Sequence, residues 1–160
     1  MPATRLLLAL GLVLVSAVGR AGQADDANLD ILRDSIRANK KALVAASLTL
    51  SNEEAAKFWP LYDEYQKKLT AVNDRLVALI KDYTTNYATL TDEHAIKLTE
   101  QYLDVEKDRN EVRREYLPQF GKLLPGRKVA RFYQIENKMD AVVRYELAGD
   151  IPVVEESAAR

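Results

Sequence analysis

The side chains best suited to chemistry in this chain are a single histidine and a short run of alternating charge. His94 follows Asp92 and Glu93, and imidazole with carboxylates is a ligand set that suits zinc, copper or nickel. One imidazole beside surface carboxylates is a poor site, however, and as the third residue of a helix His94 has a plain role in the helix cap. The carboxylates Asp104, Glu106, Asp108 and Glu111 are interleaved with Lys107, Arg109, Arg113 and Arg114. Paired carboxylates do acid–base work when held in a cleft. Mixed charge at helical spacing is far more often a solvated face stitched by pairs four residues apart. The sequence has no cysteine, which excludes thiol catalysis, disulfides, thiolate metal sites and a lipid-modified N-terminus. It has no glycine-rich phosphate loop and no legible nucleophile–base pair. The expectation is a protein with no catalytic, cofactor-binding or metal-binding residues.

Binding is a different matter. Arg127, Lys128, Arg131, Lys138 and Arg144 make one stretch locally basic, with Phe132, Tyr133 and Tyr145 beside them. Aromatic area with flexible charge suits an acidic or unfolded protein segment. The same residues, balanced by Glu136, Asp140 and Glu146, also suit a soluble helix face. The net charge is −1 over all 160 residues, so no broad basic field exists to attract a nucleic acid.

The elements that must position these groups are helices. Glycine and proline are scarce, and Ala, Leu, Glu, Lys and Arg are abundant. A first helix is expected over residues 28–46, with Leu29, Leu32, Ile36 and Leu43 on one face and Arg33, Arg37, Lys40 and Lys41 largely elsewhere. Leu50-Ser51-Asn52-Glu53-Glu54 is a start signal. Ser51 can accept from the amide of Glu54, while the Glu54 carboxylate reaches back to the amide of Ser51. A long seam follows at steps of mostly four and three: Phe58, Tyr62, Tyr65, Leu69, Val72, Leu76, Ile80, Tyr83, Tyr87. Leu90-Thr91-Asp92-Glu93-His94 starts a third helix capped by Thr91. Its seam is Leu98, Tyr102, Val105, Arg109, Val112, Tyr116, Phe120, Leu123. The link around residues 88–90 is short enough to fold the two back on each other. Leu124-Pro125-Gly126 breaks the chain. A fourth helix over 127–147 points Val129, Phe132, Ile135, Met139 and Val142 inward and stops at Gly149. Residues 151–154 read as extended and 155–160 as a disordered tail. Arg109 and Glu136 interrupt their apolar stripes, and one buried pair between them would satisfy both and fix helix register; the alternative is that the seam is drawn one position out.

Pro60 and Pro118 fall inside helical patterns. Each removes a backbone hydrogen bond and bends its helix. They lie at similar distances from the turn near Ala88, about 45 Å at 1.5 Å per residue. The expected fold is therefore all-α: a long antiparallel hairpin with two flanking helices, forming a curved four-helix cradle over residues 25–154. The alternative is that one proline, Pro118 more readily than Pro60, simply ends its helix.

Residues 1–24 read as a cleavable secretory signal. Arg5 forms a short positive region, residues 6–18 are an apolar run, and Gly22-Gln23-Ala24 offers a cleavage site before Asp25-Asp26. The run is short of the ~20 residues that span a bilayer, so no stable membrane insertion is expected after cleavage. In a Gram-negative host the product is periplasmic.

The paired starts at Leu50, Ser51, Glu54 and at Leu90, Thr91, His94 resemble the LTxxQ signature of the Spy/CpxP-like periplasmic proteins, with Ser for Thr and Glu for Gln in the first copy and His for Gln in the second. Phe58-Trp59-Pro60-Leu61-Tyr62-Asp63-Glu64-Tyr65, the stretch Leu124-Pro125-Gly126-Arg127-Lys128-Val129-Ala130-Arg131-Phe132-Tyr133-Gln134-Ile135-Glu136-Asn137-Lys138, and Ile151-Pro152-Val153-Val154 together look like a family of short exported proteobacterial proteins. The resemblance implies a helical cradle, often a homodimer. It further implies a protein that binds unfolded envelope proteins as a chaperone or serves as the regulatory partner of an envelope-stress sensor.

Overall fold

The computed structural model describes residues 39–155, and every regular element among them is helical. Helix α1 is described over 39–47 and ends there, α2 is Asn52–Asn86, α3 is Asp92–Leu123 and α4 is Gly126–Asp150. A single 3₁₀ turn, Tyr87–Thr89, joins α2 to α3. The expected signal at 1–24, the first half of the expected first helix with Leu29, Leu32 and Ile36, and residues 156–160 of the expected tail lie outside the described residues.

Both long helices begin as their sequences specify. Ser51 Oγ accepts from the Glu54 amide at 3.2 Å, and Glu54 Oε2 accepts from the Ser51 amide at 2.8 Å. Two amides that the helix leaves without partners are thus satisfied reciprocally. Thr91 Oγ accepts from the His94 amide at 3.2 Å, but the His94 side chain turns elsewhere, so the second box is half-made. Pro60 and Pro118 both lie inside continuous helix. Pro118 therefore ends nothing, and α3 runs on to Leu123.

The two long helices pack antiparallel. Lys68 meets Glu115 at 2.5 Å, Arg75 meets Asp108, and Arg109 donates to Asn73 Oδ1 at 2.6 Å. Each step up α2 is a step down α3, so these contacts hold one register. After Leu124, whose amide donates back to Phe120 O, Pro125 caps α4 with its carbonyl and the chain reverses again. Helix α4 then climbs beside the hairpin: Tyr133 Oη donates to Arg113 O at 2.8 Å, Arg113 pairs with Asp140, and Arg144 clamps Glu106 at 2.7 and 2.8 Å. The described part of α1 runs down against α4, with Lys40 at Glu136 and Ser47 O accepting from Arg131. Four helices of alternating direction surround a core of Val44, Leu48, Phe58, Tyr62, Tyr65, Leu69, Tyr116, Phe120, Leu124, Val129 and Phe132.

Several inward positions expected from periodicity are corrected. Leu43 is 41% exposed, and Val44 beside it is buried instead. Lys40 faces inward, because Glu136 and Asp140 wait there at 2.8 and 3.6 Å. The phase of α1 is thus set by a charge pair as much as by its apolar stripe. Tyr102 is 42% and Val142 57% exposed. Gly149 does not stop α4, which continues to Asp150 and ends with the Ile151 amide on Leu147 O. Arg109 and Glu136 are both buried, as their place in the stripes requires, but they do not pair with each other. Arg109 turns to Asn73 on α2, whereas Glu136 takes Lys40 and Gln66, the latter at 3.0 Å.

Candidate binding surface

The basic residues of α4 are mostly occupied within the chain. Lys128 Nζ reaches Glu54 Oε2 at 2.6 Å, holding the Glu54 carboxyl below its usual range through that hydrogen bond and the Ser51 amide. Arg131 Nε donates to Ser47 O at 2.7 Å. Arg144 is fixed on Glu106, which raises its already high affinity for a proton. Phe132, expected on a binding face, is fully buried in the core, edge-on to Phe58 and 4.8 Å from Phe120. Its position between Val129 and Glu136 on the inner stripe explains why. Tyr133 is half-buried, and desolvation pushes its phenol up to about 12 against the opposing influence of Arg113. Arg127 and Lys138 are exposed. What the sequence offered as one basic, aromatic surface is therefore three ties between helices, one core ring, one wedge and two free-standing cations.

The residues with other chemical possibilities are also dispersed. His94 Nε2 lies 3.2 Å from Asp82 Oδ2, and Asp82 Oδ1 accepts from Asn86 at 2.6 Å, so the histidine closes the hairpin turn. Among the described residues, no three His, Asp or Glu side chains converge as a metal-holding group. Glu106 faces Arg144 on α4, Asp108 faces Arg75 on α2, and Glu111 meets Lys107 on its own helix at 3.8 Å. Each carboxylate looks to a different partner, with no shared cleft.

The sequence marks Tyr62 and Tyr65 only as seam positions. Tyr62 and Tyr65 present buried hydroxyls without a hydrogen bond of normal geometry, although Arg113 lies close to that of Tyr65. Desolvation, with Glu136 nearby, holds both phenols protonated far above their ordinary range. Both lie near the Glu136 carboxylate, whose Oε1 also lacks a partner among the described residues. Sequence periodicity places such rings inward but is silent on where a hydroxyl ends up.

The exposed surface carries large apolar side chains. Ile96 is 62% exposed and Leu103 60%, and Leu117 continues the same seven-residue step on the outside of α3. A step of seven returns to nearly the same side of a helix, so these three form an outer stripe, with Asn110 at the fourth position. On α4, Val142, Val143 and Tyr145 are exposed, Tyr145 at 84%. The signal for the α3 stripe was present in the sequence, hidden by the stronger inner seam. A shallow recess of about 380 Å³ opens between the end of α1 and the start of α2, lined by Leu48, Thr49, Leu50, Ala55 and Trp59. No helix among the described residues is long and apolar enough to cross a membrane.

Compared with known proteins, the chain matches no family model, no curated protein and no solved structure.

Proposed function

We propose that this protein is an exported, non-catalytic binding protein that shields apolar segments of unfolded proteins in the periplasm. The observation that carries this reading is the apolar surface left uncovered on α3 and α4: Ile96, Leu103, Val142, Val143 and Tyr145. Contiguous apolar area is a feature of interaction sites, and on α4 the exposed Val142, Val143 and Tyr145 fall within four residues. Here it is set among charges that keep contacts reversible, including Lys107, Glu111 and Lys138. The signal-like pattern of residues 1–24 supports export, and the paired starts resembling the LTxxQ signature support a chaperone over an enzyme.

A second reading rests on the outer stripe of α3. Ile96, Leu103 and Leu117 at steps of seven suit one helix packed lengthwise, as in a regulatory partner of an envelope-stress protein or a second copy of this chain.

The test uses protein purified after export, whose first residue on N-terminal sequencing should be Asp25. At near-equimolar ratio it should suppress aggregation of several unrelated denatured proteins. The Leu103→Asp, Val142→Asp variant should lose most of that activity while its melting temperature stays within a few degrees, because both side chains are already in water. Failure to suppress any aggregation, with recovery of one or two envelope proteins on affinity capture, would replace the first reading with the second.

A further inference from the structure

Beyond α4 the chain continues as an extended strap, and it is held in an unusual way. Tyr83 Oη donates to Pro152 O at 2.7 Å, and Tyr87 Oη donates to Val153 O at 2.8 Å. Tyr83 stands in the last turn of α2 and Tyr87 four residues on, at the start of the 3₁₀ turn, and the two rings meet edge to face at 5.5 Å. Two consecutive backbone carbonyls are thus gripped by two phenols. The side chains of the strap contribute little: Val153 is 86% exposed, and Pro152 and Val154 also face water. Nothing in this contact reads the strap's sequence, because its specific bonds go to the main chain. Any extended segment offers the same carbonyls. Tyrosine is well suited to such a role, since it presents rigid area and a donor at small conformational cost.

We infer that Tyr83 and Tyr87 form a main-chain capture site for an extended polypeptide segment of another protein, and that residues 152–153 occupy it as an internal stand-in. This deepens the reading above and rests on it: the site supplies the sequence-independent polar component of client binding, while the exposed apolar residues supply the rest. Pro152 stiffens the strap toward the extended form that the tyrosines grip. Tethering gives the strap a high effective concentration, so a client must compete with it, and weak transient contacts are filtered out. Displacement costs the strap only two hydrogen bonds and little apolar burial, so a client that also covers the apolar surface prevails.

The experiment uses the whole chain and two probes: a fluorescently labelled, reduced and alkylated unfolded protein, and a synthetic peptide spanning residues 149–155. In Pro152→Gly, Val153→Gly the strap keeps its carbonyls but loses its extended bias, and no packed side chain is removed. Both probes should bind this variant about threefold or more tighter than the parent. Adding Tyr83→Phe and Tyr87→Phe to it keeps both rings and removes both donors, and binding of both probes should weaken by about tenfold, the scale of two net hydrogen bonds. Circular dichroism melts should coincide across the set. Equal affinity of parent and glycine variant, or full binding by the phenylalanine variant, overturns the capture site while leaving client binding intact. If the unfolded protein binds none of the variants, the wider reading fails. The peptide then decides the site: tyrosine-dependent binding to the glycine variant upholds it, and its absence overturns it.

Discussion

At the open end of the hairpin, Phe58, Tyr62, Tyr65, Phe120 and Phe132 are buried among four helices. Toward the turn, Leu76, Ile80 and Tyr83 occupy the same seam of α2, Tyr87 continues it into the 3₁₀ turn, and all four are only half-buried. The period of the seam is unchanged along the helix; what changes is the number of neighbours. At the open end α1 and α4 close over the hairpin. Near the turn, among the described residues, α2 has α3 and the strap beside it. One continuous pattern therefore makes two materials: a four-helix core, and an arm in which the α3 seam at Leu98 and Val105 is still buried while the α2 side chains opposite are only partly covered.

The largest expected effect breaks this comparison if it is wrong. Phe120 touches Phe58, Tyr65, Tyr116, Phe132 and Tyr133, so Phe120→Ala leaves a cavity that four helices cannot all close. It should cost about 3–5 kcal/mol. Leu76→Ala, on the same kind of seam but half in water, should cost roughly 1 kcal/mol. Urea unfolding measures both. Comparable losses would mean that the arm is as much core as the base.

Within the base, one buried ion pair joins α1 to α4. Glu136 is 2% exposed and takes Lys40 at 2.8 Å and Gln66 at 3.0 Å. Lys40 has a second carboxylate, Asp140, at 3.6 Å, but among the described residues Glu136 has no second cation in contact. The two deletions are therefore unequal. Lys40→Met strands a buried carboxylate and should cost about 3 kcal/mol. Glu136→Leu leaves Lys40 with Asp140 and should cost less. The double variant Lys40→Met, Glu136→Leu should recover most of the loss, since apolar side chains of similar volume often replace a buried pair without penalty. A double variant as unstable as Lys40→Met alone would show that the site needs charge.

How far the sequence reaches follows from the same contrast. The hairpin, both caps, the chain break at Pro125 and the burial of Arg109 and Glu136 are local or periodic facts, so they are legible in the order of residues. The partners of Arg109 and Glu136 are not. Which acceptor a buried guanidinium finds depends on the rotation of helices about their axes, and Asn73 and Lys40 give no periodic sign of being chosen. Val142 illustrates another limit. It continues the stripe of α4 and still ends in water, because a stripe states which side is apolar and not whether a neighbour covers it. The basic residues of α4 were legible as a cluster, but their roles as ties to Glu54, Ser47 and Glu106 needed the fold. The strap's grip by Tyr83 and Tyr87 joins residues about seventy positions apart, beyond the reach of any local pattern.

The smallest expected change in stability comes with the largest expected change in shape. Pro60 and Pro118 are exposed and lie within continuous helix, both in the base beside the aromatic core: Pro60 between Phe58 and Tyr62, Pro118 between Tyr116 and Phe120. Each lacks the amide hydrogen that the helix would use, and each ring presses on the preceding turn. A bend of roughly 20° at that height, the threshold of a sharp kink, moves a turn some 45 Å away by roughly 15 Å. In the Pro60→Ala, Pro118→Ala variant both amides can rejoin the ladder and alanine is the better helix former, while the loss of two prolines loosens the unfolded chain. These effects oppose each other, so stability should hold or rise by about 1 kcal/mol, and helicity should increase slightly. Small-angle scattering should report a longer molecule. Under the proposed function, suppression of aggregation should fall, because straightening changes how the exposed residues of α3 and α4 are set relative to one another. Unchanged scattering would mean that packing of α4 and α1 sets the line of the hairpin. A longer molecule with full activity would remove curvature from the mechanism and leave the exposed side chains and the tyrosine pair to account for binding.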